Sequence, residues 1–323
     1  MQTRLFLGID TSYYTCSLAL VDEAGRLLED QRRPLAVALG ERGVAPQEAV
    51  WAHLNALPQL AEPVLRTHGR AVAAVAASVK PRPVEGSYLP PFRVGEGFGR
   101  ALAAALSVPF YPTTHQEMHI QAGLWSADKP PQGHAFLAVH LSGGTTELVR
   151  VTRRPGGFAE ELLGGTQDLH AGQFVDRVGV ALGLPFPAGP HLERLAASGV
   201  PGRVALPSAV RGYTLSFSGP ESAAQRLVGK AEPADLALAV LHAVARSLEK
   251  WLLHAMEETG LREVLVVGGV AANQILRERL RQRLEHPAVG ARLAFAQPQY
   301  STDNAVGTAL LAREIAGAAG VTG

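Results

Sequence analysis

His115 and His119 stand four residues apart in His115-Gln-Glu-Met-His119. On a helix that spacing projects both imidazoles from one face about a turn apart, as two ligands of one metal ion require. A zinc peptidase built on paired histidines needs a glutamate directly after the first, and Gln116 occupies that place. Glu117 is one position further on, about 200° round the helix from His115, and points away from such a metal. Two histidines leave the site short of ligands. Asp303, in Ser301-Thr-Asp-Asn304, is a candidate third, with capping of the following helix as its other role.

A second chemistry is written in the stretch from Ala135 to Val151. An apolar run enters, a small polar turn interrupts at Ser142, Gly143, Gly144, Thr145 and Thr146, and an apolar run leaves. This is a β-hairpin whose turn carries no bulky side chain, so bare backbone N–H groups and hydroxyls can close around an anion such as a phosphate. An ordinary glycine-rich hairpin has the same look. The pattern also opens the chain: Leu5 to Asp10 reads as a strand, Thr11 to Thr15 as a polar turn, Cys16 to Val21 as the second strand, and Glu23 to Arg26 as a turn into a third. In the later copy Pro155-Gly156-Gly157 fills the place of that second turn.

Two copies of strand, hydroxyl-rich turn, strand, turn, strand point to two lobes of one architecture facing a cleft. The elements between them alternate. Pro46 sits where a helix can begin, with Val50, Leu54 and Leu57 at helical spacing, and the stretch is read as far as Pro58. Residues 71–79 read as a strand, the proline-rich 81–91 as a loop and 95–106 as a helix. Residues 232–260 read as a long amphipathic helix, 264–267 as a buried strand and 304 onward as the final helix. The class is α/β with mixed sheets flanked by helices. Residues 1–112 form the first expected lobe, with the final helix over 304–318 free to pack back on it, and 113–323 form the second.

Further candidates gather in the second lobe. Val266-Val267-Gly268-Gly269 leads into a helix at Asn273, where glycines admit a flat purine or ribose and Asn273 can hydrogen-bond it. Asp168, Asp176 and Glu193 flank Gly172 and Gly189, and carboxylates suit ribose hydroxyls or a magnesium ion that accompanies a nucleotide. Any surface helix also bears acids.

Composition narrows the setting. The 323 residues allow two domains of ordinary size, and a formal net charge of +1 advertises neither a nucleic-acid nor a membrane partner. The four lysines, Lys80, Lys129, Lys230 and Lys250, all lie outside glycine-rich loops, which excludes a Walker-type phosphate lysine. Cys16 is the sole cysteine and fits a reducing compartment. No apolar run approaches the roughly 20 residues that span a bilayer. A cytoplasmic protein is expected.

These motifs, in this order, resemble the TsaD/glycoprotease-like family, threonylcarbamoyl transferases of the actin-like superfamily. The resemblance runs over nearly the whole chain and is strongest after His115. It rests on the His-x-x-x-His helix, Thr302-Asp303-Asn304, Leu141 to Thr146, and Asp168 with Gly172, Asp176 and Arg177. It rests also on Phe186 to Glu193, Leu215 to Gly219 and Gly268 to Asn273. It implies a duplicated actin-like, two-lobed fold around a central nucleotide cleft. It implies one divalent metal, iron or zinc, on His115, His119 and Asp303. The turn Ser142 to Thr145, with Asp168, Gly172, Asp176, Gly189, Glu193, Gly269 and Asn273, would hold an adenine nucleotide.

The implied reaction moves a threonylcarbamoyl group from its mixed anhydride with AMP to the exocyclic amine of the adenosine beside the anticodon of tRNA. Protein partners, in a homo- or hetero-dimer, would help to engage that tRNA. The chain departs from the family in the first lobe. The acidic pair of the first turn is replaced by Tyr14 and Thr15, leaving Asp10 at the strand end as the candidate catalytic carboxylate. The glycine-rich loop has become Lys80-Pro-Arg-Pro-Val-Glu-Gly-Ser87, and Ser218-Gly-Pro-Glu221 carries an acid where the family has lysine. Two alternatives stay open: a nucleotide- and metal-binding pseudo-enzyme that partners or regulates a true transferase, and carbamoyl transfer to, or phosphorylation of, a small molecule.

Overall fold

The structure, a computed structural model, describes residues 3–36 and 44–321. The first of its two mixed sheets begins with three antiparallel strands, β1 (Leu5–Asp10), β2 (Thr15–Asp22) and β3 (Leu27–Pro34), and adds β4 (Val72–Lys80) and β5 (Phe110–Thr114) in parallel. The order across the sheet is β3-β2-β1-β4-β5. Strand β1 is buried along its length, because helices cover both faces. Leu5, Leu7 and Ile9 pack with Leu57, Leu60 and Val64 of α1 (Pro46–His68) and Val94 of α2 (Phe92–Leu106). Phe6 turns to the other face and meets Ala309 and Leu310 of the last helix, α10 (Val306–Val321). A side chain at Gly8 would put its Cβ 2.3 Å from the Ala309 amide nitrogen, so glycine lets α10 lie directly on β1.

The second sheet repeats the opening unit as the antiparallel meander β6 (Ala135–Leu141), β7 (Thr146–Arg154) and β8 (Gly157–Thr166). To these are added the short pair β9 (Ala209–Arg211) and β10 (Thr214–Ser216), then β11 (Glu263–Val267) and β12 (Arg292–Phe295), in the order β12-β11-β6-β7-β8-β10-β9. Helix α3 (His115–Ser126) covers one face through Ile120 and Leu124 against Phe136, Val149 and Leu265. The opposite face carries the largest core, where Leu137, Val139 and Leu148 meet Leu248 and Trp251 of α7 (Pro233–Thr259). Around that core stand α4 (Ala171–Ala181), α5 (Gly189–Ala196), α6 (Ser218–Gln225) and α8 (Gln274–Leu284); the single turn α9 (Pro298–Ser301) precedes α10. Helix α10 also packs on α3, where a Cβ on Gly307 would lie 2.0 Å from the Met118 carbonyl oxygen.

Several boundaries differ from those read in the sequence. Helix α1 runs through Pro58 and Pro63 to His68, because Leu60, Ala61 and Val64 continue its buried face. Helix α2 starts at Phe92 rather than 95, since the carbonyls of Leu89, Pro90 and Pro91 accept the amides of Phe92, Arg93 and Val94. Strands β9 and β10 are three residues each and carry no periodicity that a sequence could reveal. Among the described residues no helix is long and apolar enough to cross a membrane.

Candidate metal centre and nucleotide cleft

Helix α3 begins at the residue that matters most. Thr114 is its N-cap, accepting the Glu117 amide at 3.1 Å, while Glu117 accepts the Thr114 amide at 2.9 Å. This capping box fixes the first turn, satisfies two end amides, and turns Glu117 away from the histidine face. His115 and His119 then project together. Their Nε2 atoms are 3.1 Å apart, and Asp303 Oδ1 lies 3.6 Å from the first and 3.5 Å from the second. One donor atom from each of His115, His119 and Asp303 falls within 4.8 Å of the others. Two imidazole nitrogens and a carboxylate oxygen form a donor set that suits zinc or iron.

Asp303 is free for this role because its neighbour does the capping. Asn304 Oδ1 accepts the Val306 amide at 2.9 Å at the start of α10. His115 is oriented from behind: its Nδ1 lies 3.1 Å from Asp10 Oδ1, and Asp10 Oδ2 accepts the Ser12 hydroxyl at 2.8 Å. A carboxylate on Nδ1 leaves the Nε2 lone pair pointing at the metal position. Asp10 therefore reaches this centre through His115.

The electrostatics follow the same geometry. Burial drives the His115 imidazole toward its neutral form, yet the charge and hydrogen bond of Asp10, with Asp303, raise its pKa above the ordinary value. His119 is lowered by burial and by His115, against the pull of Asp303. Asp303 is held down to about 2: burial opposes this, but the hydrogen bond from His119 and the two histidine charges prevail. A third imidazole, His140 near the end of β6, packs with its ring 4.4 Å from that of His119 and has a buried Nε2 with no hydrogen-bond partner among the described residues. Burial and then His119 push its pKa well down. The sequence reading missed His140; a histidine inside the apolar run Ala135–Leu141 was the available signal.

The proposed nucleotide residues fall into three contacts. In the Ser142–Thr145 turn the Ser142 amide donates to the Thr145 carbonyl at 2.7 Å, and the Ser142 hydroxyl accepts the Thr145 amide at 2.9 Å. Gly143 and Gly144 have open space where a Cβ would stand. Gly172, in the first turn of α4, abuts this turn so closely that a Cβ there would lie 2.6 Å from the Gly143 amide nitrogen. Asp176 and Gly189 meet through the neighbouring Ala188, whose amide donates to Asp176 at 2.7 Å, while burial raises the Asp176 carboxyl pKa. Glu193 and Asn273 meet at the start of α8, where Glu193 accepts the Gln274 amide at 2.6 Å and Asn273 caps the helix through Leu276.

Two residues stand otherwise. Asp168 turns toward α6, accepting the Ser216 hydroxyl at 2.6 Å and the Phe217 amide at 2.8 Å, and these bonds lower its pKa despite burial. Gly269 lies behind Thr302, whose Cγ2 would stand 3.9 Å from a Cβ on that glycine, beside the metal centre. Across the cleft, the Tyr14 ring of the first turn approaches Phe186 of the α4–α5 connection at 6.4 Å between centroids. Gln116 donates to Glu147 at 3.0 Å and is thereby committed to β7.

The two mixed sheets place the chain in the actin-like fold class. Component A of (R)-2-hydroxyglutaryl-CoA dehydratase from Acidaminococcus fermentans shares the fold with a TM-score of 0.57 and 17% identity, over 98% of this chain and 99% of its own. The family model for tRNA N6-adenosine threonylcarbamoyltransferase, TsaD, matches residues 31–310. Relatives of that name include one from Prochlorococcus marinus strain MIT 9303, 39% identical over 297 residues that cover 85% of this chain and 80% of the relative. Another, from Thermus thermophilus, is 39% identical over 324 residues, 97% of this chain and 92% of its own. The chain belongs to the TsaD family.

Proposed function

We propose that this protein transfers a threonylcarbamoyl group from threonylcarbamoyl-AMP to the exocyclic amine of the adenosine next to the anticodon in tRNA. The observation that supports this most directly is the convergence of His115, His119 and Asp303 in a chain of this family. In the reaction the amine nitrogen bonds to the carbamoyl carbonyl carbon, the bond from that carbon to the AMP phosphate oxygen breaks, and the amine loses a proton. A divalent iron or zinc ion on the three ligands would supply Lewis acidity toward the carbonyl and charge for the phosphate. Asp10 orients His115 for it. The Ser142–Thr145 turn, whose Gly144 amide is held by the Ser142 hydroxyl, offers the Gly143 amide to the phosphate, with Gly172 allowing α4 to approach. Asp176, Gly189, Glu193 and Asn273 shape the wall for the nucleoside, and Asp168 secures the connection before α4.

The lobes are proposed as residues 1–112, with α10 packed on them, and 113–323. The lone Cys16 and a tRNA substrate support a cytoplasmic setting, and a homo- or hetero-dimer with protein partners would help a chain of net charge +1 to engage tRNA. The test is transfer by purified protein from synthetic threonylcarbamoyl-AMP to unmodified tRNA, with the modified nucleoside read by mass. Product formed by the native chain and lost in His115→Ala supports the reading. Absence of product from metal-loaded, nucleotide-binding protein overturns it in favour of a pseudo-enzyme.

A further inference from the structure

A second cavity, of about 500 Å3, lies in the first lobe, and Lys80, Tyr88, Arg93, Glu96, Thr113 and Thr114 are among the residues that line it. It opens at the carboxyl ends of the parallel strands β4 and β5, the place where open α/β sheets take ligands. We propose that this cavity receives one unpaired nucleotide of the RNA acceptor, its base against the Tyr88 ring and its phosphate between Lys80 and Arg93. The proposal rests on the transferase reading and names the part of the chain that would hold the acceptor strand.

The chemistry of the walls favours a nucleotide. Tyr88 is 66% exposed, an aromatic face offered to solvent at the cavity mouth. Arg93 pairs with one oxygen of Glu96 at 2.5 Å and Arg100 with the other at 3.0 Å, so the cluster of two guanidiniums and one carboxylate keeps one net positive charge beside the cavity. Lys80 forms no salt bridge within 4 Å among the described residues, and its charge acts at longer range on the half-buried Glu117. An exposed aromatic ring with cations beside it is the combination that binds single-stranded nucleic acid, by stacking on the base and charge on the backbone. A cavity this small is a poor fit to a protein partner, whose stable docking needs about 800 Å2 on each side.

The platform is also fixed in place. Arg82 in the same loop pairs with the buried Glu147 of β7 at 2.6 Å, and its amide donates to the Ser87 hydroxyl at 3.0 Å. Tyr88 is thus carried by a loop tied to the second sheet. The wall that separates this cavity from the metal centre is thin. Phe92, the neighbour of Arg93, stands edge-on to the His115 ring at 5.9 Å, and Thr114 caps the helix that begins with His115. The cavity and the metal centre are therefore neighbours across Phe92 and Thr114, and under this proposal one RNA strand occupies both.

The test is fluorescence anisotropy of a labelled anticodon stem-loop RNA with the full-length protein over a series of salt concentrations. Tyr88→Ala should weaken binding by about 5- to 20-fold, with Tyr88→Phe close to native, since the ring stacks without its hydroxyl. Lys80→Ala should reduce the slope of log affinity against log salt by about 0.7. Bound metal and AMP affinity should stay at native values in both. If the native protein binds the RNA and Tyr88→Ala lies within two-fold of it at an unaltered salt slope, the cavity assignment is overturned and the transferase reading stands. If the native protein does not bind the RNA even at the lowest salt, the cavity assignment falls, while the transferase reading is decided by the transfer assay. Labelled UMP bound more tightly than the RNA in a Tyr88-dependent way would assign the cavity to a free nucleotide and overturn the RNA source.

Discussion

Asp10 Oδ1 and His115 Nδ1 lie 3.1 Å apart although 105 positions separate the two residues in sequence. The pair joins the end of β1 to the start of α3 and so couples the first sheet to the metal centre. Removing the carboxylate frees the imidazole to rotate and change tautomer. Asp10→Ala should weaken metal binding by about 10- to 100-fold, as loss of such supporting carboxylates does. Competition with a calibrated chelator measures this, and an unchanged dissociation constant would deny Asp10 its orienting role.

The ligands themselves are tested separately. His115→Ala and His119→Ala should each lose stoichiometric metal by elemental analysis while the far-UV circular dichroism stays native. Both variants keeping one metal per chain would remove these residues from the site.

Gly172 and Gly143 make opposite predictions. A Cβ on Gly172 would collide with the backbone of the Ser142 turn, 2.6 Å from the Gly143 amide nitrogen, whereas a Cβ on Gly143 meets nothing within 4 Å. Gly172→Ala should cost about 1–3 kcal/mol of stability, the usual result of overpacking, and lower AMP affinity more than ten-fold. Gly143→Ala should leave stability near native. Urea unfolding with AMP titration checks both, and a stable Gly172→Ala that binds AMP normally would contradict the close approach.

Glu160 on β8 gives a pH dependence. Both its carboxyl oxygens are buried without a hydrogen-bond partner among the described residues, and burial, then Glu117 and Glu147, push its pKa up to about 8 from an ordinary 4.5. Between those values the native state keeps a proton that the unfolded chain releases, so this group lowers stability as pH rises from 4.5 to 8. Glu160→Gln should therefore gain on the order of 2–4 kcal/mol over the native chain at pH 8 and little at pH 5. Urea unfolding at the two pH values measures the difference. Equal gains at both would rule out a raised pKa.

What could be read directly from the sequence is what short-range chemistry dictates. The four-residue spacing of His115 and His119 and the two strand-turn-strand units concern residues within a turn or a hairpin of one another, where local geometry leaves few choices. Local sequence also left Asp303 a candidate for capping α10, and only the packed chain gave the cap to Asn304 and turned Asp303 to the histidines.

The rest belongs to tertiary structure. The Asp10–His115 pair, the Arg82–Glu147 tie that steadies Tyr88, the buried carboxyl of Glu160 and the His140 ring beside His119 each arise where distant segments are pressed together. The same holds for α1, whose two internal prolines are tolerated because its buried face continues to Val64. Spacing along a chain encodes which side chains share a face. Which face meets which is decided by burial and close packing over the whole fold, and those terms act between residues that sequence order does not bring together.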